Sequence, residues 1–185
     1  EVTELARGRS QHGERRLERV FRDSGFAFMG VTDAQGRVVR RAMPGTTVGD
    51  TLRAEVLAAA LAGRAVAATE ILGVEQISRE APGLETSVAL DVVVAPGGWP
   101  APSPSLGSGM VLLAAAPLAD DDGVIHGAVY AGRLINGDLG IVDRMWRVLY
   151  AGETYRNDPV GTVTIFQDGV RVATTVTGKD GARAL

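Results

Sequence analysis

The chain has 185 residues, of which 45% are hydrophobic and 22% charged, proportions typical of soluble globular domains. A formal net charge of −3 gives no field that attracts phosphate backbones, and the basic residues are not interleaved with aromatic ones, so nucleic acid is not an expected partner. The absence of cysteine excludes disulfides, thiolate metal sites and covalently attached haem, and it suits an extracytoplasmic domain. No apolar run reaches the length of a membrane span, and no signal peptide is visible.

Residues 1–24 are predicted to form a long, mostly exposed helix. Its apolar residues fall at loosely helical spacing, and its arginines are mixed with acidic residues, which is typical of a solvated face of opposite charges. Asp23, Ser24 and Gly25 are expected to end this helix. A hairpin is predicted to follow at residues 26–41, with its turn at residues 33–36.

The middle of the chain alternates between helical and extended patterns. A second helix is predicted within residues 51–65, with Asp50 or Thr51 as its cap. Its apolar stripe is expected to consist of Leu52, Val56 and Ala59. The elements expected next are a strand at 66–72, a helical turn at 74–80, a strand at 88–94 and a proline-rich surface loop at 95–108.

Two further strands are predicted at residues 110–119 and 123–134, joined by an acidic turn. A hairpin, then helices, then antiparallel strands is an order that indicates segregated helices and strands. We therefore predict an α+β fold with a five-stranded antiparallel sheet that helices cover on one face.

A last helix is predicted from residue 138, capped by Asn136 or Asp138. Its apolar stripe is expected to consist of Ile141, Met145, Val148 and Leu149. The Asp168-Gly169 pair, between alternating residues, is the strongest hairpin signal in the chain. A helix followed by a hairpin thus occurs twice, which predicts that the chain opens a second, truncated unit. The alternative is one domain with an added final hairpin.

The sequence contains no recognisable catalytic set. Two histidines, His12 and His126, are too few for an imidazole metal site, and the contiguous acidic residues 120–122 lack the alternate spacing of a calcium loop. The glycines form neither a dinucleotide fingerprint nor a phosphate loop. We therefore expect no catalytic residues, no metal and no cofactor, and an enzyme ranks third among the functions considered.

The strand at 123–134 carries the most informative side chains. His126, Ala128, Tyr130 and Gly132 alternate onto one side of it. A polar and aromatic face next to small residues is expected to leave room for a ligand, so a pocket is predicted over this face.

Three segments, taken in order, resemble the extracytoplasmic Cache sensor domains of bacterial chemoreceptors and membrane-bound histidine kinases, which are PAS-like. The segments are "VLAAALAGRAVAATEIL", "GMVLLAAAPLADDDGVIHGAVYAGRLINGDLGIVDRMW" and "GTVTIFQDGVRVATTVTGKDGARAL". The resemblance implies a periplasmic sheet that binds a small molecule, in a parent protein with a transmembrane helix on each side. It places the pocket between the sheet and residues 44–109.

The resemblance and the element order together predict three regions. They are an N-terminal signalling helix at 1–24, a ligand-binding lobe at 25–137, and a connecting helix and hairpin at 138–185 that open a second, truncated lobe. Amino-acid-binding relatives commonly carry an aspartate about where this chain has Gly132. We therefore expect a small organic anion, such as a short carboxylate, rather than an amino acid.

The predicted ligand-binding residues are Tyr130, His126, Arg79, Arg53, Phe28 and Met110. An arginine is expected to hold the ligand's carboxylate by charge-assisted hydrogen bonds, while Phe28 and Met110 form an apolar wall. The N-terminal helix is expected to carry the signal and to pair two chains into a homodimer. The alternative function is a PAS-like scaffold that recognises a partner protein, with a filled core at Tyr130 and no small-molecule ligand.

Overall fold

A computed structural model describes residues 11–88, 106–156, 158–178 and 181–185. The chain divides into two compact units. Unit 1 comprises residues 1–85 and 108–134, and unit 2 comprises residues 86–107 and 135–185. The assignment of a signalling helix, a ligand-binding lobe and a truncated second lobe stays a prediction.

The described helices are α1 (Gln11–Ser24), α2 (Glu55–Leu61), α3 (Val74–Glu80), a 3₁₀ helix (Leu84–Ser87) and α4 (Leu139–Tyr150). The strands of unit 1 are β1 (Phe28–Asp33), β2 (Val38–Arg41), β3 (Val66–Gly73), β4 (Ser108–Ala119) and β5 (Ile125–Leu134). The strands of unit 2 are β6 (Thr154–Tyr155), β7 (Asp158–Pro159), β8 (Thr164–Gln167) and β9 (Val170–Thr174).

The five strands of unit 1 form one antiparallel sheet in the order β2-β1-β5-β4-β3. This confirms the predicted α+β class with a five-stranded antiparallel sheet and an N-terminal helix. The predicted helical cover on one face alone is wrong, because α1 packs on one face and α3 lies over the other. β1 has a strand on either side and helices over both faces, so five of its six residues are buried. Its hairpin turn is stabilised by the Asp33 carboxylate, which accepts hydrogen bonds from the amides of Gln35 and Arg37.

The two faces of this sheet carry different layers. On one face, Leu17 of α1 packs with Met29 and Val31 of β1 and with Ala131 of β5. Because side chains alternate along a strand, the neighbours of these residues face the opposite way. That second face includes Phe28 and the residues Leu113, Ala128, Tyr130 and Leu134, all buried.

Unit 2 has its own small core. Val142 of α4 packs against Val163 and Ala173 of the β8–β9 hairpin, with Trp146 and Tyr150 partly buried beside them. The predicted cap of α4 is confirmed, because the Asp138 carboxylate accepts a hydrogen bond from the Ile141 amide. The predicted hairpin turn is also confirmed: Asp168 and Gly169 have φ values of 50° and 79°, as a type I′ turn requires.

Two local predictions are wrong. The second helix begins at Glu55 after an Ala54 cap, and neither Asp50 nor Thr51 caps it. Thr51 instead pairs with Arg37 in a β-bridge, and the Asp50 carboxylate binds Arg41. The apolar stripe predicted for α4 is rotated: Val142 is buried, whereas Met145, Val148 and Leu149 are exposed.

Other predictions fall partly or wholly outside the described residues. They are the first turns of the N-terminal helix, the strand at 88–94 and most of the proline-rich loop at 95–108. The short β6–β7 hairpin was not predicted, since two-residue strands leave no periodic pattern to detect.

Candidate functional site

A buried ionic cluster lies between the sheet and α3 of unit 1. Arg41, the last residue of β2, donates to both oxygens of Asp50 at 2.8 and 2.9 Å and to Glu80 Oε1 at 2.6 Å. Tyr130 Oη donates to Glu80 Oε2 at 2.8 Å. Arg41 also donates to the Thr47 carbonyl. Arg41, Glu80 and Tyr130 are at most 3% exposed, so this network takes the place of water for the two terminal nitrogens of Arg41, the Glu80 carboxylate and the Tyr130 hydroxyl, whereas Arg41 Nε has no partner among the described residues.

The charges of this cluster support each other. Burial by itself lowers the pKa of Arg41, but the hydrogen bonds with Asp50 and Glu80 outweigh burial and leave the pKa raised. The hydrogen bond from Arg41 likewise lowers the pKa of Asp50 below its ordinary value of 3.8. Burial, followed by the Glu80 charge, raises the pKa of Tyr130 well above its usual range. Arg41 therefore stays cationic and Tyr130 stays a neutral donor at physiological pH.

Arg40, the neighbour of Arg41, faces the other layer. Its guanidinium lies 3.3 Å from Glu14 and 3.3 Å from Glu18, both on α1. Because adjacent strand residues point to opposite faces, β2 places one arginine against each helical layer. A single short edge strand thus connects α3, through Glu80, with α1.

The space over the central strands is filled by two aromatic rings. Gly30 pairs directly with Tyr130, and Gly132 pairs directly with Phe28. A methyl group on either glycine would overlap the ring of its partner. The expectation that the Tyr130 face leaves room for a ligand is therefore wrong at this point, because each ring occupies the volume over its partner glycine.

An open groove with polar and charged residues in its lining lies on the outer side of α3 in unit 1. It encloses about 510 Å³ between α3 and the loop that follows β2. The polar side chains that line it are Thr46, Thr47, Glu75, Ser78, Arg79 and Glu85. Arg79 is exposed, and its charge acts on Asp50 at the edge of the buried cluster. The groove therefore offers a guanidinium and hydroxyl groups, with two carboxylates nearby.

The structure brings only some of the predicted ligand residues together. Tyr130 and Phe28 share one face of the sheet, with ring centroids 6.4 Å apart. Met110 pairs with Ile71 and lies on the opposite face. His126 lies near the turn before β5, where its Nε2 is 2.6 Å from Asp120 Oδ2.

The two predicted arginines also differ in position. Arg79 lines the groove. Arg53 is exposed, and its carbonyl accepts a 3.5 Å hydrogen bond from Gln76 of α3. The part that each of the six residues plays in ligand binding stays a prediction.

The sequence analysis did not select Arg41, Asp50 or Glu80. One signal was present: two arginines in succession within a short strand must face opposite layers, so one of them has to enter the covered side. A buried arginine needs carboxylate partners, but Asp50 and Glu80 lie 9 and 39 residues away, and no local pattern identifies them.

The described residues contain neither a metal-binding cluster nor a membrane-spanning helix. No group of three or more His, Cys, Asp or Glu side chains among them is arranged to hold a metal ion. None of the helices in the described ranges is long and apolar enough to cross a bilayer.

Comparisons with known proteins show similarity to solved structures and to no family model. No family model matches the sequence, and no curated protein is significantly similar to it. The chain is similar to the crystal structure of the E. coli DcuS sensor domain, with a TM-score of 0.39 and 17% sequence identity. The match covers 65% of this chain and 64% of that one. This similarity identifies no family for the chain.

Proposed function

We propose that unit 1 is the ligand-binding lobe of an extracytoplasmic sensor domain, in a transmembrane chemoreceptor or histidine kinase, and that it binds a small organic anion. The observation that carries this proposal is the groove beside α3. It combines a ligand-sized volume, a guanidinium and hydroxyl groups, and its lining residues belong to the segment 44–109 that the family resemblance places over the pocket. The packing of helices on a PAS-like sheet is consistent with this proposal.

Arg79 is the residue that we assign to the ligand's carboxylate. A guanidinium binds a carboxylate through two parallel charge-assisted hydrogen bonds, and the hydroxyls of Thr47 and Ser78 line the same groove. Glu75 and Glu85 also line the groove and repel a second carboxylate. A hydroxycarboxylate such as lactate therefore fits better than a dicarboxylate, because its hydroxyl can donate to one of these glutamates.

The ionic cluster supplies a route from this groove to α1. Glu80 ends α3 and binds Arg41, and the adjacent Arg40 binds Glu14 and Glu18 on α1. A ligand that changes the position of α3 therefore acts on the N-terminal helix through two neighbouring residues of β2. Such a change requires that the ligand bind one position of α3 more tightly than the other.

A screen of thermal stability tests the proposal. Acetate, propionate, lactate and succinate are added separately to the wild type, to Arg79→Gln and to Arg64→Gln, an exposed arginine that does not line the groove. We expect lactate to raise Tm in the wild type and in Arg64→Gln but not in Arg79→Gln. The proposal fails if none of the four anions stabilises the wild type, or if Arg79→Gln responds as fully as the wild type does.

A second candidate function has one observation in its favour. A scaffold domain that recognises a partner protein predicts a filled core at Tyr130, and the Tyr130 ring is buried and bonded to Glu80. This function requires no small-molecule ligand. A clear thermal shift that depends on Arg79 would exclude it as the sole function of unit 1.

A further inference from the structure

A second cavity in unit 1 lies on the other face of the sheet, between α1 and strands β3 to β5. It has a volume of about 590 Å³. Leu17 and Val20 of α1 form one wall, and Met29, Ala114 and Ala131 of the sheet form the other. This cavity shares no lining residue with the groove beside α3.

The register of the sheet explains why space remains here. Ala67, Ala114 and Ala131 pair directly across β3, β4 and β5, so the row beneath the cavity carries only methyl side chains. Larger side chains begin at the next position of the same row, Met29 of β1, where Leu17 makes contact. Helix α1, over its described residues, therefore packs closely over β1 and does not fill the volume over β3 and β4.

We propose that this cavity binds an apolar molecule with one anionic end, of the class of medium-chain carboxylates. Its walls are almost entirely aliphatic, as expected for a site that takes up a hydrocarbon body. Among the described residues that line it, Arg16 alone carries a charge. A guanidinium at the wall of an apolar cavity complements a single carboxylate. Such a ligand bridges α1 and the sheet where the side chains of the described residues do not.

A titration with decanoate tests this proposal. Binding is measured by the displacement of the fluorescent probe anilinonaphthalene sulfonate. The variants are Ala67→Phe, which fills the cavity, and Ala68→Phe, which projects from the other face of the same strand. Both positions are exposed on an edge strand, so both variants retain the fold. We expect saturable decanoate binding at one site in the wild type and in Ala68→Phe, and at least about tenfold weaker binding in Ala67→Phe.

The carboxylate end is tested with Arg16→Gln and with Arg19→Gln, an arginine of α1 that does not line the cavity. Arg16→Gln is expected to weaken decanoate about tenfold and decanol much less, whereas Arg19→Gln changes neither. Equal effects of Ala67→Phe and Ala68→Phe, or a wild type that binds no decanoate, would overturn the proposal. If sedimentation finds a stable dimer that does not bind decanoate, the cavity is assigned to a second copy of the chain. That result also overturns the proposal. Arg79→Gln is expected to keep full decanoate affinity, so this result is independent of the groove.

Discussion

Arg41 is bound by two carboxylates in the interior of unit 1, and this arrangement determines what single substitutions do there. Its charge is balanced by the carboxylates of Asp50 and Glu80, and the second oxygen of Glu80 accepts a hydrogen bond from the Tyr130 hydroxyl. A buried ion pair contributes little net stability compared with an apolar core, but removal of one partner leaves an uncompensated charge. The cluster is therefore sensitive to the loss of any member.

Glu80→Gln is predicted to lower the free energy of unfolding by about 2–3 kcal/mol, because Arg41 loses one anionic partner while Tyr130 keeps an acceptor. Urea denaturation followed by circular dichroism measures the effect. The matched control is Glu75→Gln, an exposed residue on the same helix, which is expected to change stability by less than about 0.5 kcal/mol. Equal stability of the two variants would contradict a structural role for the Glu80 charge.

The lowered pKa of Asp50 predicts how the stability of the folded protein depends on pH. The hydrogen bond from Arg41 lowers the pKa of Asp50 in the folded state below its ordinary value of 3.8. A lowered folded pKa stabilises the protein above the unfolded value, and this stabilisation is lost as the pH falls through the folded value. Asp50→Asn is therefore expected to be less stable than the wild type by about 1–2 kcal/mol at pH 7.

The check is a series of urea titrations of both proteins between pH 7 and pH 2.5. The difference in stability is expected to stay constant down to about pH 4.5 and to shrink below about pH 4. A difference that grows on acidification would show that the Asp50 carboxylate is not stabilised by Arg41.

Strand pairing determines how the aromatic rings of unit 1 are placed. Each of the two rings, Phe28 and Tyr130, lies over the glycine paired with it in the neighbouring strand. Glycine weakens a strand interior because it adds entropy to the unfolded chain and gives no side chain to pack. At Gly30 and Gly132 the facing ring supplies the missing contact, so these glycines are requirements of packing.

Gly30→Ala is predicted to lower the free energy of unfolding by about 1–3 kcal/mol, because the added methyl group displaces the Tyr130 ring from Glu80. Gly73→Ala, at the end of β3 with no atom near the added group, is the control and is expected to be tolerated. Chemical denaturation of both variants measures this. In a Tyr130→Ala background the cost of Gly30→Ala is expected to fall, and an unchanged cost would refute the clash.

Elements with strong local signals could be predicted from the sequence. The β1–β2 hairpin, the pair of strands β4 and β5, the Asp138 cap and the turn at Asp168-Gly169 each depend on residues close together in the chain. The prediction of Asp50 as the cap of α2 was wrong, because Asp50 has a stronger, non-local partner in Arg41. Local hydrogen-bonding preference competes with tertiary ion pairs, and only the structure shows which prevails.

The orientation of α4 could not be predicted from its hydrophobic spacing. Periodicity selected Met145, Val148 and Leu149, yet the helix turns Val142 and Trp146 toward the hairpin of unit 2. Trp146 Nε1 donates to the Val160 carbonyl at 2.9 Å, which anchors that side of the helix. Helix α4 has apolar residues on more than one side, so hydrophobic spacing alone does not decide its orientation.

The candidate site was predicted only in outline. Arg79 was selected, and it lines the groove beside α3. The pocket expected over Tyr130 is filled, because alternation gives the face of a residue but not the volume that its neighbours occupy. The ionic cluster was missed because its members are distant in sequence.

In unit 1 as a whole, one sheet separates two layers with different chemistry. The layer with α3 carries buried charges and a groove lined in part by charged and hydroxyl side chains, and the layer with α1 carries an aliphatic cavity. The consecutive residues Arg40 and Arg41 connect the two layers at the edge strand. In the proposed function, a ligand at the groove acts on α1 through these two residues and not through the packed centre of the sheet.

The most direct test of this account is an NMR titration of ¹⁵N-labelled wild type and Arg40→Gln with lactate. In the wild type, the account predicts saturable shifts of the amides in the loop 43–50, in α3 and in α1. In Arg40→Gln, the shifts in the loop and α3 are predicted to persist, whereas those in α1 largely disappear. Shifts absent from the loop and α3, or shifts in α1 that Arg40→Gln leaves unchanged, would contradict the account.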